Sequence, residues 1–137
     1  MFVENRDDAR RFFYQVWSKV ANAEPLEPLE NLVAEVIRAH PEYQALLTDP
    51  SSTKHDFTDG VNPFLHLGLH IALIEQLQTD RPTGILQIFK TLSERYGDPH
   101  QAEHQMMTCL AGQLQQASER GIAPDPAAYL TELERLR

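Results

Sequence analysis

Cysteine is nearly missing from this chain of 137 residues, since Cys109 is the only one. An internal disulfide and a cysteine-based zinc knuckle are therefore excluded. No apolar run approaches the roughly 18 residues that a membrane-spanning helix needs. The sequence also lacks a Gly-rich phosphate loop, a G-x-S-x-G elbow and a Walker lysine. The absence of these three motifs argues against nucleotide-driven and serine-hydrolase chemistry.

Basic residues are scarce relative to acidic ones. The chain has 12 Lys and Arg against 20 Asp and Glu, a formal net charge of −8. A nucleic-acid partner is not expected, because phosphate binding requires a basic face. The N-terminal segment MFVENRDDARRFF has no apolar core of the kind found in signal peptides. We expect a cytoplasmic protein with no membrane association, either a monomer or a homodimer, whose protein partner is unknown.

The composition favours helices over strands. Leu and Ala total 30 residues, whereas Val and Ile total 12. We predict an all-α fold, in which residues 1–137 form a single helical domain built as a compact bundle of about five main helices. Apolar spacing and boundary residues predict helical segments at about Asn5–Ala21, Pro28–Ala39, Pro63–Thr79, Gly84–Tyr96, Pro99–Arg120 and from Pro126 onward, with a short helical turn from Pro41 to Leu47.

One connection is long enough to suggest a function. The segment Asp49–Gly60 has the sequence DPSSTKHDFTDG. Loops of about a dozen residues are uncommon in small domains and are often functional. His55, Asp56 and Asp59 in this loop could add a metal ligand, or the loop could act as a lid.

Four of the six histidines form two matched pairs. His66 and His70 are four residues apart, as are His100 and His104. Residues with this spacing lie one above the other on a helix and can chelate one ion. Glu103 adds a carboxylate near the second pair. Helical spacing places most of these side chains on the apolar arcs of their helices, where an unpaired charge would be costly.

The predicted topology brings the two pairs to one end of the bundle. Helices joined by short turns run antiparallel, so the first and third of three consecutive helices run parallel. Each pair lies near the start of its helix. Counted from the helix starts, the offset between His66 and His100 is about three residues, or about 4.5 Å of helix axis.

We therefore predict a metal-binding helical bundle with His66, His70, His100, His104 and Glu103 as ligands. A nitrogen-rich, sulfur-free ligand set suits zinc or iron, and also nickel or copper. Glu103 could instead act as a general base on a metal-bound water. Two alternatives stay open: a metal-free protein-interaction module with a buried His/Glu network, and a small metal-dependent hydrolase.

Two further observations qualify this prediction. The segment from His100 to His104 matches the H-x-x-E-H pattern of inverzincin peptidases, but those enzymes need a further glutamate well downstream and a larger fold. His40 directly precedes Pro41 at a predicted helix end. We expect it to contact the last carbonyl groups of that helix rather than to bind a metal.

Several segments resemble a known family. They are RRFFYQVW, EPLEPLE, HPEYQALL, NPFLHLGLHIALIEQ, DRPTGI and GDPHQAEHQMMTCL, and they extend over nearly the whole chain. The sequence is similar to the short bacterial proteins of domain-of-unknown-function family 1841. This resemblance implies a bacterial, cytoplasmic, single-domain protein, and it implies no activity, substrate or catalytic residue.

Overall fold

The structure is a computed structural model that describes residues 6–49 and 62–137. Within these ranges it contains seven α-helices, one short 3-10 turn and no strand, which confirms the all-α prediction. The helices are α1 (Arg6–Ala21), α2 (Pro28–Arg38), α3 (Pro41–Gln44), α4 (Pro63–Thr79), α5 (Ile85–Tyr96), α6 (Pro99–Arg120) and α7 (Pro126–Glu134), and the 3-10 turn is Leu46–Thr48.

The predicted count of about five main helices was too low. Pro41 and Pro126 each begin a separate short helix, of 4 and 9 residues respectively. Proline is well suited to the first helical position, because its missing N–H would have no partner there and its φ is already helical. A proline preceded by an extended residue can therefore start even a very short helix.

Local capping chemistry explains most helix ends. The side chain of Asn62 accepts hydrogen bonds from the Phe64 and Leu65 amides, at 3.0 and 3.3 Å, and so caps α4. Asp98 caps α6 in the same way, accepting from the His100 amide at 3.0 Å. Gly121 ends α6 with a φ of 64°, a left-handed conformation that glycine adopts without steric cost. The predicted helix boundaries at Pro63, Pro99 and Arg120 are confirmed.

The chain divides into two compact units, residues 1–71 and 72–137, with the boundary inside α4. The single-domain prediction for residues 1–137 stays a prediction. The first unit contains α1 to α3, the 3-10 turn and the start of α4. The second contains the rest of α4 and α5 to α7.

In the first unit, α1 packs against α2 and against the 3-10 turn. Its buried apolar side chains come from all of these elements: Phe13, Val16, Val33, Ala34, Val36, Ile37, Leu47, Phe64, Leu67 and Ile71. Phe13 stacks on Phe64 with ring centroids 6.2 Å apart, which attaches the start of α4 to α1. The Tyr14 hydroxyl donates a hydrogen bond to the Leu46 carbonyl at 2.8 Å. Helix α1 therefore contacts the start of α4 as well as α2 and the 3-10 turn.

In the second unit, α6 packs against both α5 and α7. The buried side chains include Leu73, Ile85, Ile88, Leu92, Met106, Met107, Leu110, Tyr129 and Leu133. The Tyr129 hydroxyl donates to the side-chain oxygen of Gln76 at 2.8 Å, so α7 is joined to the second half of α4. None of the helices in the described ranges is both long and apolar enough to cross a membrane.

Candidate metal centre

Three histidines of the first unit converge on one point. His40 follows the end of α2, whereas His66 and His70 lie on consecutive turns at the start of α4. Each residue offers a ring nitrogen, and these three atoms all lie within 4.8 Å of one another. His40 and His70 are each only 2 % exposed, and His66 is half-buried. The predicted burial is confirmed for His70, whereas His66 is only half-buried.

The rings meet edge to face. The centroid of His40 lies 4.8 Å from that of His66 and 5.0 Å from that of His70, with interplanar angles of 75° and 84°. The rings of His66 and His70 are 6.0 Å apart at 81°. One ring nitrogen of each histidine also lies within 4.8 Å of those of the other two. The arrangement is compatible with three ligands around one ion.

The hydrogen bonds of His40 define its protonation at one nitrogen. Its Nδ1 lies 2.7 Å from the carbonyl oxygen of Val36, a partner that can only accept. Nδ1 therefore carries a proton and donates it, and in the neutral ring the lone pair is on Nε2. That Nε2 lies 3.1 Å from the Nε2 of His66. A backbone carbonyl that holds one ring nitrogen and leaves the other to bind an ion is the usual support of a metal-bound histidine.

The local backbone explains why the His40 ring folds back onto Val36. In a continuing helix, the Val36 carbonyl would accept from the His40 amide. That amide donates instead to the Ile37 carbonyl at 3.0 Å, and the next residue, Pro41, has no N–H. The imidazole supplies the donor that the backbone does not. The predicted contact of His40 with the last carbonyls of its helix is thus confirmed.

Sequence reasoning missed the second role of this residue. The role in question is its place in the cluster: His40 was expected only to contact the end of its helix, whereas its Nε2 also lies 3.1 Å from the Nε2 of His66. The available signal was the His-Pro pair at a helix end, since a proline there removes a donor and favours a side-chain replacement. Spacing of four residues, the pattern used for the other histidines, finds only partners on the same helix.

Tyr43 forms one wall of the cluster. Its ring lies parallel to that of His40, at 5° and 5.4 Å between centroids, and edge-on to His66, at 71° and 5.8 Å. The Tyr43 amide donates to the His40 carbonyl at 3.0 Å, which closes the single turn of α3. Burial, and secondarily the nearby Glu42, raise the pKa of the Tyr43 phenol, so it stays neutral at physiological pH.

The other predicted site residues lie in the second unit, at the start of α6. The rings of His100 and His104 are 4.1 Å apart, as expected for residues on successive turns. His100 and Glu103 offer ligand atoms within 4.8 Å of each other, and all three residues are half-buried. The structure thus brings His100, Glu103 and His104 together as one group. Their participation in the same centre as His66 and His70 stays a prediction.

The loop residues His55, Asp56 and Asp59 lie outside the described residues. Cys109 is half-buried on α6, and burial raises the pKa of its thiol. A raised pKa lowers the thiolate fraction and with it the reactivity of this cysteine.

Comparison with known proteins identifies a family. No curated protein matches the chain significantly, and neither does any solved structure. A family model matches residues 5–135, nearly the whole chain. The predicted resemblance is therefore confirmed, and the chain belongs to the family described as "Domain of unknown function (DUF1841)".

Proposed function

We propose that this protein binds one transition-metal ion through the imidazoles of His40, His66 and His70. The observation that carries the proposal is the orientation of His40. Its Nδ1–H is held by the Val36 carbonyl, and its Nε2 lies 3.1 Å from the Nε2 of His66. Two nitrogens bound to one tetrahedral zinc ion at about 2.0–2.1 Å are separated by about 3.3 Å. The pair is therefore spaced almost as two ligands of one ion would be.

The chemistry of the donors narrows the choice of metal. The three ligands are neutral nitrogen donors, and the only cysteine, Cys109, is not among them. Imidazole donors suit zinc, iron, nickel and copper, whereas magnesium and calcium prefer oxygen donors. We propose zinc or iron, the same metals that the nitrogen-rich, sulfur-free ligand set predicted from the sequence.

The larger ligand set remains part of the proposal. His100, Glu103 and His104 were predicted from the sequence to join His66 and His70 at one centre. Glu103 would then be a ligand or a base that acts on a metal-bound water. Single variants of these three residues determine whether they contribute to metal binding.

A metal-free network is the competing interpretation. One specific observation favours it: the Nε2 atoms of His40 and His66 lie 3.1 Å apart, which is a hydrogen-bond distance. If the His66 Nε2 carries a proton, it donates an ordinary hydrogen bond to the His40 Nε2. In that case the histidines would stabilise the first unit and support a protein-interaction module. The cytoplasmic location, the lack of a nucleic-acid partner and the monomeric or dimeric state also stay predictions.

The deciding experiment is metal analysis of protein purified without a histidine tag, followed by calorimetric titration of the chelator-treated protein with zinc, iron(II) and nickel. We expect one ion per chain, and a higher melting temperature in its presence because the ion binds only the folded state. Substoichiometric content of every metal and an unchanged melting temperature would overturn the proposal and leave the metal-free network.

Single variants then assign the ligands. His66→Ala and His70→Ala should each weaken zinc binding by at least tenfold. His40→Asn is the sharpest variant, because the Asn side-chain amide can occupy the position of Nδ1 and keep the bond to Val36 while Nε2 is lost. Glu75→Ala, on the exposed side of α4, is the control and should bind zinc like the wild type. Weakened binding in His100→Ala, Glu103→Gln and His104→Ala would extend the centre to the predicted larger set.

A further inference from the structure

Tyr43 stands out among the residues around the histidine cluster because it contacts two of the three proposed ligands. Its ring is parallel to His40 and edge-on to His66. It belongs to α3, a helix of only 4 residues that begins directly after His40. The single turn of α3 therefore places the Tyr43 ring against the ring of His40, the residue before the helix.

The His40 ring has one rotational freedom that its hydrogen bond alone does not remove. The Nδ1–H bond to Val36 fixes one ring atom, but the ring can still tilt about that contact. A parallel aromatic ring restricts this tilt, since offset stacking is favourable only when the two planes stay aligned. Together the carbonyl and the Tyr43 ring determine the direction of the His40 Nε2 lone pair.

We infer that Tyr43 is a positioning residue of the metal centre, whose ring aligns the His40 imidazole for coordination through Nε2. The inference rests on the proposed function. It assigns the effect to the aromatic ring and not to the phenol hydroxyl. A hydroxyl ligand is the alternative that the test must separate, because tyrosine can also bind a metal through its oxygen.

Three variants separate the ring from the hydroxyl. Tyr43→Phe keeps the stacked ring and removes the oxygen. Tyr43→Leu keeps an apolar side chain of moderate size and removes the flat face, and Tyr43→Ala removes both. The probes are zinc affinity by calorimetry and the visible ligand-field spectrum of the cobalt(II)-substituted protein, which responds to ligand geometry. Far-ultraviolet circular dichroism and the fluorescence of Trp17, the only tryptophan, confirm that each variant is folded.

We expect Tyr43→Phe to match the wild type within about twofold. Tyr43→Leu and Tyr43→Ala should bind zinc about 10- to 100-fold more weakly, the range seen when a residue that orients a metal ligand is lost. The cobalt(II) spectrum should change in these two variants and be restored in Tyr43→Phe. If Tyr43→Ala does not fold, Tyr43→Leu gives the same comparison.

Two results would overturn the inference. Wild-type zinc affinity and an unchanged cobalt(II) spectrum in Tyr43→Leu would show that the ring does not position His40. Equally weak binding by Tyr43→Phe and Tyr43→Leu would assign the effect to the hydroxyl. Both results require that the wild type binds zinc, so they differ from failure of the proposed function, in which the wild type itself binds no ion.

Discussion

Replacing His40 with alanine should destabilise the metal-free protein, because the imidazole satisfies a buried backbone carbonyl. Val36 is 2 % exposed, and its carbonyl accepts the Nδ1–H of His40 at 2.7 Å. The amide that would serve this carbonyl in a continuing helix is that of His40, and it bonds to the Ile37 carbonyl at 3.0 Å instead. Alanine at position 40 would leave the Val36 oxygen buried without that donor.

The size of the effect follows from two losses. A buried carbonyl that loses its hydrogen bond costs about 1–3 kcal/mol. Loss of the stacked contact with Tyr43 adds about 0.5–1.5 kcal/mol. We therefore expect His40→Ala to lower the free energy of unfolding by roughly 2–4 kcal/mol. His66→Ala removes the 3.1 Å contact but not the capping bond, and it should cost about 0.5–1.5 kcal/mol.

The assay is urea unfolding in the presence of a chelator, followed by the fluorescence of Trp17 in α1. His40→Asn provides the matched control, because it can restore a donor to Val36 without restoring Nε2. It should recover most of the stability lost in His40→Ala while failing to recover zinc binding. The reasoning is refuted if the free energy of unfolding of His40→Ala lies within about 0.5 kcal/mol of the wild-type value. It is also refuted if His40→Ala is no less stable than His66→Ala.

The remaining predictions concern stability away from the histidines. The hydrogen bond from Lys19, and secondarily that from the Glu27 amide, lower the pKa of Glu30 below 4.5. A lowered folded-state pKa stabilises the protein above the unfolded value, so this contribution should be lost as the pH falls below 4.5. Between neutral and acidic pH, the free energy of unfolding should depend less on pH in Glu30→Gln than in the wild type. An identical loss of stability in both proteins at acidic pH would contradict this. Gly112→Ala, in the exposed middle of α6 where a Cβ meets open space, should raise the free energy of unfolding by about 0.5–1 kcal/mol. Gly121→Ala should lower the free energy of unfolding by about 1–2 kcal/mol, because the φ of 64° at this position is unfavourable for alanine. Equal effects of Gly112→Ala and Gly121→Ala in thermal unfolding would contradict the argument.

Helix boundaries were predictable because their signals are local. Asn62 before Pro63, Asp98 before Pro99 and Gly121 after Arg120 each act on amides or carbonyls within a few residues. The predicted starts of α3 at Pro41 and of α7 at Pro126 are confirmed as well. Only the count of about five main helices was too low, since helices of four to nine residues contain little apolar periodicity.

The histidine cluster shows where such local reasoning ends. His66 and His70 were found because one helix fixes their spacing, whereas His40 reaches His66 across 26 residues of chain. Its position depends on packing that no periodicity records: Phe13 of α1 holds Phe64 at the start of α4, beside the end of α2.

The chain nevertheless carries a chemical signal for His40. Pro41 lacks the N–H that would serve the Ile37 carbonyl in a continuing helix, and the His40 amide donates to that carbonyl instead. The Val36 carbonyl therefore accepts from a side chain, the His40 imidazole. An imidazole is well suited to this, because its two nitrogens lie on different sides of the ring and a donor at Nδ1 leaves Nε2 to face another element. The capping contact and the proposed ligand role are therefore not alternatives. A histidine that caps its own helix through Nδ1 has its Nε2 lone pair oriented, and the protein needs only to bring a second histidine to it, as α4 does with His66.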